Sequence, residues 1–194
     1  MLLTAPATLA HFDATFAADS DPWNTLVSRD ERMKRDAILR ALPRSSGRLL
    51  ELAPGNGSNS VRLRRRALRL LAADGAPSAV GLTRERLGGD PRAEVRLARL
   101  PDEVPRGPFH AAVVAELLYY LPQRDVAELA RRLGRELAPG ATTVLAHHGV
   151  PFPDAATLPA TVHAVFRDAL GRGPLHPVAR TRQWRVERIG PLPR

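Results

Sequence analysis

Apolar positions recur along this chain with two different periods, and the switching between them predicts alternating helices and strands. Residues 28–42 read as a helix: Ser28 and Glu31 have capping-box spacing, and Met33, Ala37, Ile38, Ala41 and Leu42 share one face. Pro43 to Gly47 ends it. The run RLLELAPGNG, residues 48–57, reads as a buried strand over 48–53 entering a glycine turn. Asn59 and Ser60 then open a helix expected over 59–73, with Val61, Leu68 and Leu71 inward. A turn from Asp74 to Pro77 leads to a short second strand, Ser78 to Leu82. Arg84 to Leu87 leaves room for barely one helical turn before Gly88, Gly89, Asp90 and Pro91.

Glu94 to Ala98 alternates polar and apolar as a third strand, and Phe109 to Ala115 is a buried fourth one after the loop Asp102 to Pro108. Pro122 opens a helix with Val126, Leu129, Ala130, Leu133 and Leu137 on one side, stopped by Ala138, Pro139 and Gly140. Thr142 to Ala146 is the fifth strand, residues 159–170 a helix closed by Gly171, and Arg182 to Ile189 a last strand. This order implies an α/β fold: a mostly parallel sheet with helices on both faces, abbreviated at its carboxyl-terminal end. In such sheets ligands bind beyond the carboxyl ends of the strands. The loops after Leu52, Leu82, Ala98, Ala115 and Ala146 then share one rim.

Length and composition alter this picture little. At 194 residues and 44% hydrophobic content the chain suits one domain, 1–194, with residues 1–43 as an amino-terminal helical segment. Nothing approaches the roughly 18 apolar residues of a membrane span. The start MLLTAPATLAHFD lacks a basic stretch, so no signal peptide and a cytoplasmic protein are expected. Cysteine is absent, which excludes disulfides, thiolate metal sites and cysteine nucleophiles. The net charge of +9 invites nucleic acid, above all at Arg62, Arg64, Arg65, Arg66 and Arg69. Yet 29 basic residues include one lysine, Lys34, and no aromatic platform accompanies the arginines, so a solvated helix face is the plainer reading.

The chemistry concentrates in the glycine turn. Small residues let the backbone approach a ligand, and a helix start offers unpaired N–H groups. Glu51, an acid inside an apolar run, needs a purpose there. Four blocks extend the pattern: HFDATFAADSDPWN with the ERMKR helix, LLELAPGNG, FHAAVVAELLYYL, and LAPGATTVLAHH. Together they resemble the class I S-adenosylmethionine-dependent methyltransferases, and within them the NodS (nodulation protein S) family, over about residues 11–170.

The resemblance implies a Rossmann-like sheet binding S-adenosylmethionine. The cofactor set would be Glu51, Ala53, Gly55, Asn56, Gly57, Thr83, Leu100 and Ala115, with Trp23 in a lid. Glu51 matches the acid that orients the methionine ammonium. The chain also departs from the family: Ala53-Pro54-Gly55 replaces glycine-cysteine-glycine, Thr83 stands where an acid grips the ribose, Arg99 replaces an acid near the adenine, and His110 replaces the aspartate opening strand four. The resemblance further implies N-methylation of a small molecule such as an amino sugar. Glu116, Tyr119, Tyr120 and His147 are the candidate catalytic residues, with His148 beside them and no metal. Tyr119 and Tyr120 also fit plain packing, and both histidines a structural role. Two further readings stay open: a catalytically weak protein keeping the fold for binding or regulation, and an RNA-binding protein or RNA methyltransferase using the arginine helix.

Overall fold

The structure, a computed structural model, describes residues 7–150 and 157–191. The first six residues of the expected amino-terminal segment lie outside them, as does part of the stretch MLLTAPATLAHFD. Seven strands form one sheet: β1 (Ser46–Leu52), β2 (Ala67–Asp74), β3 (Ala93–Leu97), β4 (Phe109–Ala115), β5 (Leu137–His148), β6 (Leu175–Arg180) and β7 (Trp184–Ile189). Their spatial order is β3-β2-β1-β4-β5-β7-β6. Neighbours pair parallel except β7, which runs antiparallel to both β5 and β6.

The central strands are apolar on both faces because both faces are covered. In β4, Ala111, Val113 and Ala115 pack with Ala37, Ile38 and Leu42 of the helix α2 (Arg29–Ala41) and its end. Phe109, Ala112 and Val114 point the other way, against α5 (Gln123–Glu136) and α6 (Pro159–Leu170). The remaining helices are α1 (Leu9–Ala18), the single turn α3 (Ser60–Leu63) and α4 (Pro77–Leu87). No helix of the described residues is long and apolar enough to cross a membrane.

Ser28 caps α2 as expected, its Oγ accepting from Glu31 N at 3.3 Å, but the Glu31 carboxylate turns to Lys34 instead of completing the box. Met33 is 43% exposed, so it leaves the expected core face, while Lys34 and Arg35 are buried there. Leu137 leaves the α5 face to open β5.

The larger correction lies between residues 59 and 87. The expected helix over 59–73 stops after α3 and a 3₁₀ turn at Arg64–Arg66, and the chain then enters β2. Residues 78–82, expected as the second strand, belong instead to the eleven-residue α4, with Pro77 in its first turn. β2 is buried between β1 and β3, where its Leu and Ala residues fill two faces, and that packing overrides their helical propensity. The arginine run is thereby split. Arg64 is buried and donates to Ala67 O at 2.6 Å while pairing with Asp90 at 2.9 Å. The expected basic helix over 59–73 is therefore not formed, which removes the feature that favoured RNA.

The sheet is also complete at its carboxyl end: β7 is the expected last strand, and β6, which was not expected, pairs with it antiparallel. β6 holds Pro177 beside a register shift on an edge strand, the position a sheet tolerates proline in. α6 clamps this end through Phe166, which is fully buried. Phe166→Ala is expected to cost about 3–5 kcal/mol. Urea unfolding followed by circular dichroism checks this, and a loss below about 1 kcal/mol would mean that α6 is not anchored by that ring.

Candidate active site

A cleft of about 580 Å³ opens beyond the carboxyl ends of β1, β2 and β4. Its floor is the loop after β1. Ala53 and Gly55 adopt left-handed backbone, at φ +54° and +59°, and Gly57 follows at φ +78°. A Cβ on Gly55 would meet the Phe16 ring at 3.0 Å, and one on Gly57 the Thr83 backbone at 3.0 Å. The loop therefore needs glycine twice, whereas Ala53 holds the same conformation under strain.

Asp74 ends β2 and lines the cleft, its Oδ2 accepting Gly55 N at 3.0 Å and its Oδ1 accepting Ala76 N at 2.9 Å. Burial raises its pKa against the pull of those N–H donors. The acid after strand two is thus present, and it was missed because the strand was placed eleven residues late. Thr83 is fully buried behind the loop, where its hydroxyl donates to Gly55 O at 2.9 Å. Glu51 too sits behind the wall, almost wholly buried. Its Oε2 accepts from Ser60 Oγ at 2.6 Å, while Oε1 finds no hydrogen-bond partner among the described residues. Burial pushes the Glu51 carboxyl up to about 7, with the Asp74 charge adding to the push and Ser60 opposing it.

Asn56 ties this loop to the amino-terminal segment. Its Nδ2 donates to Ser20 O at 3.1 Å and Asp21 Oδ1 at 2.9 Å. The Asp21 carboxylate also accepts Thr25 N at 2.7 Å and Leu26 N at 3.0 Å. Asp21-Pro22-Trp23 therefore sets a turn that is also a tether. Trp23 lines the cleft and packs edge-on against Phe16 at 5.3 Å, while Phe12 meets Tyr120 at 4.7 Å across it. Leu100 and Arg99, after β3, and Ala115, ending β4, complete the lining.

On the opposite wall stands Glu116, at φ +51° a strained position for a side chain of its size. Its carboxylate accepts from Lys34 Nζ and the Tyr119 hydroxyl, and from His148 N at 3.1 Å. Lys34 also donates to Glu31 at 2.7 Å. Burial disfavours the Lys34 charge, but the two carboxylates outweigh it and raise its pKa. Sequence reasoning assigned Lys34 no role, although a single lysine among 29 basic residues was its signal. Burial, then the Glu116 charge, drives the Tyr119 hydroxyl well above its ordinary pKa, so it stays a donor. Glu116 and Tyr119 thus hold each other. Tyr120 lines the cleft as an aromatic wall.

His147 does not reach the cleft. Side chains alternate along a strand, so His148 lines the cleft while His147 is fully buried on the other face. There its Nε2 accepts Leu117 N at 3.3 Å and Leu118 N at 3.0 Å. His163, expected as an unassigned surface or packing residue, is buried beside it. Among the described residues no group of three metal-ligating side chains occurs.

The strand order, the single antiparallel strand and the glycine loop define the class I methyltransferase fold. No protein-family model matches the chain. It is 30% identical to a provisionally named methyltransferase from Pseudomonas syringae, covering 84% of this chain and all of that one, with a TM-score of 0.70. The chain belongs to the methyltransferase family. N-methyltransferase NodS from Bradyrhizobium japonicum WM9, in complex with S-adenosylhomocysteine, superposes with a TM-score of 0.79 at 20% identity, over 94% of this chain and 97% of that one. The S-adenosylhomocysteine complex of DhpI does so at 0.76 and 21%, over 96% of both. A methyltransferase of Claviceps purpurea (strain 20.1) is 32% identical over 154 residues, 75% of this chain. The chain spans about half the length of that curated relative, 47%.

Two outcomes follow from the loop. Ala53→Gly relieves the left-handed alanine and is expected to stabilise the protein by about 0.5–1 kcal/mol in thermal unfolding, while a loss would show that no strain is stored there. Glu51 is protonated when folded and releases its proton on unfolding between its ordinary 4.5 and about 7. Its stabilising share is full below pH 4.5 and is lost as pH rises through about 7. Glu51→Gln should remove that decline, on the order of 3 kcal/mol, between urea melts at about pH 5 and about pH 8. An identical slope in the variant would locate the effect elsewhere.

Proposed function

We propose that the cleft binds S-adenosylmethionine and methylates the amine of a small molecule, in the manner of a NodS-like N-methyltransferase, with an amino sugar as the first substrate to test. The observation that carries this reading is the charge of the cleft. Glu31, Asp74 and Glu116 outnumber Lys34 and Arg99 on its lining, inside a protein of net charge +9. A carboxylate excess of that kind suits a cationic cofactor and an amine, and repels acidic substrates.

The residues present fit the cofactor. The left-handed turns at Gly55 and Gly57 leave backbone where a side chain would clash, Asp74 ends β2 beside them, and Glu51 keeps a buried acceptor atom unpartnered. When bound, S-adenosylmethionine supplies a methyl group on a sulfonium for in-line displacement. Ala53, Gly55, Asn56 and Asp74 would hold it from below, Leu100 would flank it, and Trp23 with Phe16 would cover it. Phe12 and Tyr120 form an aromatic wall that excludes water and offers a flat face to a sugar ring. Glu116, fixed by Lys34 and Tyr119, marks the mouth and attracts the ammonium form of the substrate. His148 is the group on this wall that can take the proton an attacking amine sheds. Holding the two reactants in line accounts for most of the acceleration such a site needs.

Of the departures that favoured a catalytically weak relative, two are answered in this reading, and Arg99 stays on the lining. Asp74 supplies the acid looked for at Thr83, and Ala53 already adopts the turn. Calorimetry with S-adenosylhomocysteine should show binding that Asp74→Asn weakens about 10- to 100-fold, the worth of a charged hydrogen bond. Thr83→Asp should not improve it. Methyl transfer from labelled S-adenosylmethionine to glucosamine, or to a chitooligosaccharide with a free amine, tests the substrate class. No binding of either cofactor form at millimolar concentration would remove the whole reading.

A further inference from the structure

Behind the cleft wall lies a chain of titratable groups that the transfer itself does not use. Glu187 Oε2, on β7, meets His163 Nδ1, on α6, at 2.5 Å. His163 Nε2 meets His147 Nδ1 at 2.8 Å, and both rings are buried. Because His147 Nε2 accepts two backbone N–H groups, its ring proton must sit on Nδ1 and be donated to His163. His163 then carries its proton on Nδ1 and donates it to the Glu187 carboxylate. The tautomers are set in one direction, each ring donating outward from the turn after β4 toward β7.

That turn is the one bearing Glu116, Tyr119 and Tyr120, and it begins at the left-handed Glu116. β5 grips it at consecutive residues. Ala146 O accepts Glu116 N at 2.9 Å, His147 takes Leu117 and Leu118, and His148 N holds the Glu116 carboxylate. A strained turn persists when its surroundings over-determine it. The His147 ring supplies two of those constraints, and it does so only while Nε2 carries no proton.

We propose that the Glu187–His163–His147 chain is a positioning device for methyl transfer, holding the Glu116–Tyr119 wall in place through the Leu117 and Leu118 amides and releasing it on protonation. The role in transfer rests on the function proposed above. The clamp itself does not. The groups facing His147 are His163 from α6, Arg185 from β7, Lys34 from α2 and the Tyr119 ring at 5.3 Å, with Glu187 of β7 on the far side of His163. Burial, then His163, Lys34 and Arg185, hold the imidazole well below its ordinary pKa, so it stays neutral. The native state thus resists protonation that the unfolded chain accepts. This share of stability is complete above pH 6.5 and declines as pH falls below it.

Amide hydrogen exchange read by NMR on the whole chain tests the clamp without any substrate. His147→Leu removes the acceptor and should speed exchange at Leu117 and Leu118 by about tenfold or more relative to Leu145 in the middle of β5. His147→Gln, whose amide oxygen can take over the Nε2 role, should stay within about threefold of wild type. Unchanged exchange at both amides in His147→Leu overturns the proposal. Should that variant fail to fold, the wild-type acid titration decides. Protection at Leu117 and Leu118, corrected for intrinsic exchange, should fall before that at Leu145, and parallel loss at all three overturns it. With glucosamine as acceptor, kcat should fall about tenfold or more in His147→Leu with S-adenosylhomocysteine affinity held within about threefold. His147→Gln should recover kcat and lose the acid limb of the wild-type profile. Equal loss of kcat and cofactor affinity in His147→Leu would make the residue merely structural. A wild type that transfers no methyl group to any amine, with the two amides still clamped, would overturn the role in transfer alone.

Discussion

The carboxylate of Glu116 is the joint on which this cleft depends. It receives an ammonium from α2, a phenol from its own turn and a backbone N–H from β5, so the amino-terminal helices and the sheet share one anion. A buried ammonium without its partner costs several kcal/mol, and a left-handed glutamate costs more than its neighbours would tolerate unaided. Each strained or desolvated element is thus held by another of opposite demand. The cleft has a wall in a definite place because those demands meet there.

The second constraint is the loop after β1, and it acts through geometry rather than charge. Gly55 lies against the Phe16 ring and Gly57 against Thr83, so α1 and α4 both press on the loop. Asn56 then links it to Asp21. Glycine loop, aromatic roof and amino-terminal tether form a connected set, which is why Trp23 lies far from the glycine loop in sequence yet lines the same space. The acidic lining stands out further because the rest of the molecule is so basic.

How much of this could be read beforehand depends on the forces involved. β4, α2, α5 and α6 were legible because each carries its own signal: a largely apolar run, a serine cap, a proline start, a terminal glycine. β2 was not. Its leucines, alanines and arginines are good helix formers, and only burial between two other strands makes them a strand. That error displaced the acid sought after the strand from Asp74 to Thr83. β6 escaped notice because it is a half-exposed edge strand containing proline. Within the site, the positions along the cleft wall came from the resemblance to the methyltransferase blocks. The sorting of His147 from His148 depended on which face of β5 each occupies, and Lys34 on a partner 82 residues away.

Lys34 carries one further implication. It is the chain's single lysine, 2% exposed, protonated and locked between two carboxylates. Every other basic side chain apart from the histidines is a guanidinium. Acylating reagents, and enzymes that build isopeptide bonds or modify lysine, therefore find no side-chain amine on the surface. The one side-chain amine the chain has is instead spent inside the cleft wall, as the cation that holds Glu116.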